Sequence, residues 1–98
     1  MSYANIDPLI QKWADKYHLR IAREYKEYEV RTTDVIDKGG KKYQIWIDTP
    51  DNKGNISVHA WDYKKRRVDF MTTTSDLHNA LESAYGVVLS WISQAQGK

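Results

Sequence analysis

The chain has 98 residues, and its 15 basic and 13 acidic side chains give a formal net charge of +2 at pH 7. That balance is weaker than the strongly basic composition typical of a dedicated nucleic-acid-binding protein. The absence of cysteine excludes disulfides, thiolate metal sites and a cysteine nucleophile. The length predicts a single domain over residues 1–98. Because the sequence has neither a signal-peptide pattern nor a run of about 18 apolar residues, we expect a cytoplasmic protein without a membrane partner.

Apolar side chains at intervals of three and four predict an N-terminal helix over about 8–17. Asp7 is suited to cap its first turn, and Pro8 stands where a missing N–H is harmless. The segment 18–28 allows two interpretations, an extension of this helix or a short strand followed by a turn. The strand is favoured because the alternation of side chains slips by one position before Tyr28, as an inserted residue would make it slip.

Alternating apolar and polar residues then predict strands over about 28–36, 42–48, 56–63 and 67–73. The short connections between them favour an antiparallel meander in sequence order. A final apolar stripe predicts a helix over about 75–95, capped by Thr74 or Ser75. Gly86 lies in the middle of this helix, and a close contact with the sheet would explain a glycine there.

Together these elements predict a two-layer α+β fold. An antiparallel meander of four to five strands carries the N-terminal and the C-terminal helix on one face, because both helices and each strand have an apolar side to bury. The other face of the sheet is then open to water. Strand alternation assigns three aromatic side chains and a histidine to it, and Arg31 and Thr33 are expected to join them from the preceding strand. The candidate binding residues are Arg31, Trp46, His59, Trp61, Tyr63 and, in the adjoining turn, Lys64, Lys65, Arg66 and Arg67.

These residues allow three interpretations. The face binds a partner protein or a second copy of the chain, since Trp, Tyr and Arg are common anchors at interfaces. Alternatively, Trp46 and Trp61 stack on the bases of single-stranded nucleic acid while the basic turn neutralises phosphates. In the third interpretation they are cross-strand pairs that only stabilise a half-exposed sheet. Protein binding is the leading hypothesis, and an enzyme with a pocket that sequence cannot reveal is a further alternative.

No pattern of catalytic, metal-binding or cofactor-binding residues is recognisable. No second histidine or carboxylate stands at ligand spacing beside His59 in the sequence, and Ser57 lacks the sharp turn and orienting acid that a serine nucleophile requires. The acidic loop around Asp51 resembles a calcium loop in composition, but Lys53 occupies a position that needs an oxygen ligand. We therefore expect a non-enzymatic binding module with no cofactor and no metal.

Overall fold

The computed structural model of the protein describes residues 2–96. It has one five-stranded antiparallel sheet with the strand order β1-β2-β3-β4-β5, and two helices that contact this sheet. The predicted two-layer α+β fold is confirmed. The elements are α1 (Asp7–Lys16), β1 (Ala22–Tyr25), β2 (Tyr28–Ile36), β3 (Lys42–Ile47), β4 (Ile56–Trp61), β5 (Arg67–Thr72), a short 3₁₀ turn (Thr74–Asp76) and α2 (Leu77–Gln96). Within the described residues, neither helix has the length and apolar character needed to cross a membrane.

Helix α1 differs from its predicted start in one respect. Ile6 is its N-cap residue and makes no capping hydrogen bond through its side chain. The carboxylate of Asp7 is not used as a cap either, because it accepts hydrogen bonds from Arg31 of β2. The start of helix α1 therefore lacks a side-chain cap and is connected to the sheet through Asp7.

Helix α1 ends because the backbone at His18 enters the left-handed region, with φ of 57°. The amide of Leu19 donates to the carbonyl of Ala14 at 2.8 Å, and the amide of His18 donates to the carbonyl of Asp15 at 3.3 Å. This pair of bonds is the Schellman termination, in which glycine is the usual left-handed residue. The chain after this point forms strand β1 and does not prolong the helix.

Strand β1 forms a short hairpin with β2. The register is irregular between Ala22 and Glu24, a few residues before the position at which the alternation in the sequence predicted the slip. Lys26 and Glu27 connect the strands, and both have positive φ, of 50° and 73°. A two-residue turn of this kind matches the twist of the strands, although glycine or asparagine is its usual occupant. The turn places Tyr25 directly opposite Tyr28.

The core lies between the inner face of the sheet and the two helices. The inward side chains of β3 and β4 are completely buried, as is the stripe of α2 that faces them. Burial of this kind is the main stabilising contribution in a small protein, at about 25 cal/mol per Å² of apolar surface. The residues at the centre are Tyr43, Ile45, Ile47, Ile56, Val58, Ala60, Leu81, Ala84 and Val88.

Helix α2 differs from the prediction at its N-terminus and at Gly86. Thr74 and Ser75 do not cap it directly, because they form the 3₁₀ turn that precedes Leu77. The expected close contact at Gly86 is also wrong. The backbone there is exposed, and apart from the adjacent residues and the helix backbone itself no atom lies within 4 Å of the position that a Cβ would take.

Three of the loops begin with an aspartate whose side chain accepts hydrogen bonds from the backbone of the same turn. The Oδ1 atoms of Asp37, Asp51 and Asp62 each accept hydrogen bonds from the amides two and four residues further on, at 2.8 to 3.0 Å. This explains the acidic residue in the loop that resembles a calcium site, because the carboxylate of Asp51 is already used by the loop itself.

Candidate functional site

One face of the sheet is turned away from the helices, and we call it the open face. Directly paired residues lie on the same side of a sheet, so the strand register identifies its members. Trp46 pairs with His59, and His59 pairs with Asp69. In the next row Trp61 pairs with Arg67. The structure therefore brings Trp46, His59 and Trp61 together on the open face, with Arg67 beside them.

Arg31 lies on the opposite face, contrary to the expectation from the sequence. It pairs with Ile47, whose side chain is buried under the helices, and only 4% of Arg31 is exposed. Thr33 pairs with Ile45 and is buried on the same side. Strand β2 contributes Thr32 to the open face instead, through its pairing with Trp46.

The open face is concave around its tryptophans and forms an aromatic cleft of about 460 Å³. This volume lies in the range of ligand-binding clefts, which combine apolar walls with a few polar groups. The aromatic walls are Tyr25, Trp46 and Trp61, and the polar lining includes Gln44, Asp48 and Arg67. Tyr25 and Asp48 are absent from the candidates chosen by sequence, since their position depends on the hairpin turn and on strand register.

His59 lies at the base of this face, held between two carboxylates. Its Nδ1 is 2.6 Å from Asp69 Oδ1 and its Nε2 is 2.9 Å from Asp48 Oδ2. Its ring stacks on Trp46 with a centroid separation of 4.3 Å. A neutral imidazole donates to one of these carboxylates, whereas an imidazolium donates to both. Because both ring nitrogens are engaged and the side chain is only 10% exposed, His59 positions Trp46 and is poorly placed to act as a general base.

Arg67 is bound to its own strand. Its Nε donates to Asp69 at 2.9 Å, and its guanidinium carbon lies 5.5 Å from the centre of the Trp46 ring. Hydrogen bonds from Arg67 and then from His59 hold the pKa of Asp69 below its ordinary value. Trp46 therefore has a histidine and an arginine against it, both connected through the same carboxylate.

Tyr63 extends the aromatic surface beyond the end of β4. Its ring lies 4.7 Å from that of Trp61, and its hydroxyl donates to the carboxylate of Asp34 on β2. Burial, followed by the bond to Asp34, raises the pKa of the Tyr63 hydroxyl. The backbone φ of 65° at Tyr63 belongs to the left-handed region, so the turn holds this residue in a conformation that few side chains adopt.

The basic turn does not act as one group. Arg66 is directed to the helix side, where its guanidinium lies 5.2 Å from the Trp91 ring and donates to Gln94. Lys65 is exposed at the tip of the turn. Lys64 lines a second concavity of about 530 Å³ at the end of the sheet, together with Lys41 and Lys42. The two lysines of β2–β3 were not among the sequence candidates, because only the folded meander places their turn beside the turn after β4.

The part of the chain that the structure describes contains no group of three histidine or acidic side chains arranged to hold a metal ion. The hydroxyl of Ser57 contacts the sulfur of Met71 at 3.8 Å, and both nitrogens of the nearby His59 are already bonded. The arrangement supplies aromatic surface and fixed charges, which suit binding.

Large apolar side chains that remain exposed are concentrated on this side of the molecule. Met71 is 69% exposed, Ile36 58%, Tyr25 54% and Tyr63 39%, and all four belong to the open face or its aromatic cleft. Tyr28 is the most exposed of all at 75% and pairs with Tyr25 at the end of the first hairpin, whereas Leu89, with 45% exposure, lies on α2. Such a concentration distinguishes a face from the scattered apolar residues of an ordinary surface.

Comparison of the chain with models of protein families, with curated proteins and with solved structures finds no match in any of the three.

Proposed function

We propose that this protein is a binding module that contacts a partner protein through the open face, with the aromatic cleft as the centre of the interface. The observation that carries the proposal is that Tyr25 in the cleft and Ile36, Tyr63 and Met71 elsewhere on the open face are all exposed. Exposed apolar surface of this kind marks interaction sites. Tyrosine, tryptophan and arginine are also the side chains that contribute most to binding energy at interfaces.

The cleft suits the insertion of one anchor side chain from the partner. Tyr25, Trp46 and Trp61 provide apolar walls, and the side chain of Asp48 remains 54% exposed at the lining. Anchors that fill such pockets at the centre of an interface dominate its affinity, while the surrounding contacts exclude water. The two tryptophan rings lose little conformational entropy on binding, because His59 already stacks on Trp46 and Tyr63 packs against Trp61.

The test uses Tyr25→Ser, with Leu89→Ser as the matched control. Both residues are large, apolar and about half exposed, but Leu89 lies on α2. The tagged wild-type protein and the two variants serve as bait in an extract of the native cells, and any protein captured is purified and titrated by calorimetry. We expect Tyr25→Ser to weaken its binding about tenfold, equivalent to about 1.4 kcal/mol, and Leu89→Ser to leave it unchanged. Equal effects of the two variants would contradict the proposal.

Sedimentation at increasing protein concentration separates a partner protein from a second copy of this chain. A monomer that shows no dependence on concentration fits a separate partner. A dimer that Tyr25→Ser dissociates would instead mean that the face binds itself.

A second candidate is single-stranded nucleic acid, favoured by one observation. Lys42 and Lys64 lie in one concavity with Tyr63, whose ring contacts Trp61. Aromatic rings beside basic groups are the usual elements of a single-strand binding surface. Titration with a thymidine oligonucleotide tests this candidate, because phosphate contacts make the logarithm of affinity fall linearly with the logarithm of salt concentration.

A further inference from the structure

The positive charge of the protein is concentrated at one end of the sheet, next to the aromatic cleft. Two turns meet there, the turn between β2 and β3 and the turn between β4 and β5. We call this region the basic end. Lys41, Lys42 and Lys64 line its concavity of about 530 Å³, and the same two turns also carry Lys38 and Lys65, which are exposed.

Three aspartates lie at the basic end, and each already accepts hydrogen bonds. Asp37 and Asp62 bind their own turns, and Asp34, which lines the concavity, accepts the Tyr63 hydroxyl. The lysines of the basic end are mostly exposed, namely Lys38, Lys42, Lys64 and Lys65. Asp37 accepts the amides of Gly39 and Lys41, and Asp62 accepts the amides of its own turn and the guanidinium of Arg66. The Asp62 side chain is only 6% exposed. The two turns and their concavity carry five lysines against three aspartates, so the field at this end is positive.

The basic end and the aromatic cleft are continuous. Tyr63 borders the concavity of the basic end, and its ring lies 4.7 Å from Trp61, which is a wall of the cleft. One bound molecule can therefore contact both.

The remainder of the open face is not positive. Asp48 and Asp69 remain about half exposed on it, at 54% and 52%, and Arg67 is already bonded to Asp69. A nucleic-acid strand crossing this face would bring phosphates past both carboxylates, whereas its basic partners lie at one end only. A partner protein can carry its negative charge on one segment only. It can therefore match the basic end without bringing negative charge against Asp48 and Asp69.

We propose that the partner is a protein that places an acidic segment on the basic end while an apolar anchor occupies the aromatic cleft. This inference rests on the proposed function and specifies the chemistry of its ligand. The acidic segment accelerates association and fixes the orientation of the partner, because charges at the edge of an interface act mainly on the rate of encounter.

The test titrates isotope-labelled protein with two short synthetic peptides and follows the backbone amide and tryptophan indole signals by NMR. Both peptides contain one tryptophan. The first is rich in glutamate, and the second has glutamine at every glutamate position. We expect the acidic peptide to move the indole signal of Trp61 and the amides of Lys41, Lys42 and Lys64, and to bind about tenfold more tightly than the neutral one.

The variant Lys42→Glu with Lys64→Glu should remove that advantage, and so should about 1 M salt, where screening acts over about 3 Å. The control Lys12→Glu with Lys53→Glu reverses two exposed lysines elsewhere and should retain it. Equal binding of both peptides would overturn the inference while the proposed function survived. If neither peptide moved the signals of Trp46 and Trp61, the proposed function would fail as well. Tighter binding of a thymidine oligonucleotide, with the same residues shifted, would overturn both in favour of nucleic acid.

Discussion

The guanidinium of Arg31 and the carboxylate of Asp7 form a two-point ion pair that joins the second strand of the sheet to the start of the first helix. Nε donates to Oδ1 at 2.7 Å and the second contact, from Nη2 to Oδ2, is 3.0 Å. The third nitrogen, Nη1, donates to the Val30 carbonyl, and the guanidinium carbon lies 4.2 Å from the centre of the Tyr3 ring. A buried charge requires such complete pairing, because desolvation would otherwise make it unfavourable.

Asp7→Ala should therefore be among the most destabilising single changes. It removes the main partner of a guanidinium whose side chain is only 5% exposed, and leaving a buried charge unpaired lowers the free energy of unfolding by about 3 kcal/mol. Urea unfolding measures the loss. Arg23→Ala is the control, because Arg23 approaches Asp7 only to 3.8 Å and is 64% exposed. A loss no greater than that of the control would show that Arg31 finds another partner.

The same pair predicts a dependence of stability on pH. The hydrogen bond from Arg31 holds the pKa of Asp7 below its ordinary value of 3.8. A carboxylate with a lowered pKa contributes its full stabilisation above the pKa of the unfolded chain, and the contribution is lost as pH falls through the folded value. The difference in unfolding free energy between wild type and Asp7→Asn should therefore be constant above about pH 5 and shrink below about pH 4. A difference that stays constant on acidification would contradict this assignment.

The three aspartate-bound turns should differ in their contribution according to burial. Burial raises the pKa of Asp62, but the amides of Lys64 and Arg66 and then the Arg66 guanidinium lower it by more, so the net pKa is below its ordinary value. Asp62→Ala removes these bonds from a side chain that is 6% exposed, and we expect a loss of about 2 kcal/mol. Asp51→Ala removes the equivalent backbone bonds at an exposed loop and should cost clearly less. The urea midpoints of the two variants measure these losses. Equal losses would mean that burial of the aspartate does not determine how much its turn contributes to stability.

Gly86 offers a change in the opposite direction. It lies in the middle of α2, and a Cβ added there would meet no atom within 4 Å other than those of the adjacent residues and the helix backbone itself. Gly86→Ala should raise the free energy of unfolding by up to about 1 kcal/mol, because alanine has the higher helix propensity. Gly54→Ala is the control, since its φ of 83° disfavours any side chain and the same substitution should destabilise. Thermal unfolding monitored by circular dichroism would show the two midpoints moving in opposite directions. A loss of stability in Gly86→Ala would contradict the open space around the added Cβ.

The layer arrangement could be predicted from the sequence because the inner faces of β3 and β4 are continuously apolar. Tyr43, Ile45 and Ile47 alternate with polar neighbours, so only one orientation of that strand buries them. Strand β2 lacks this asymmetry, because Arg31 and Thr33 alternate with Thr32 and Asp34 and both sides are polar. Arg31 faces inward because it pairs with Asp7, which lies 24 residues away in the chain. A contact over that separation cannot be predicted from the local sequence pattern.

The same limit applies to the open face. The alternation predicts that Trp46, His59 and Trp61 share one side, but it does not give the register that places Asp48 and Asp69 against the two nitrogens of His59. Those carboxylates lie 11 and 10 residues from the histidine, and a shift of one residue in the pairing would move each of them to the other face. Strand register depends on the length and conformation of the connecting turns. In this protein the three aspartate-bound turns fix both.

Two buried tyrosines allow a final contrast. Tyr43 is completely buried, and its hydroxyl has no hydrogen-bond partner among the described residues. Tyr3 is 3% exposed, and its hydroxyl donates to the Ile47 carbonyl at 2.7 Å. An unsatisfied buried hydroxyl is unfavourable, whereas a buried hydrogen bond contributes about 1 kcal/mol. Tyr43→Phe should therefore raise the free energy of unfolding by about 1 kcal/mol and Tyr3→Phe should lower it by a similar amount. Urea unfolding of the two variants decides the point, because equal losses would mean that the Tyr43 hydroxyl is bonded to a buried water.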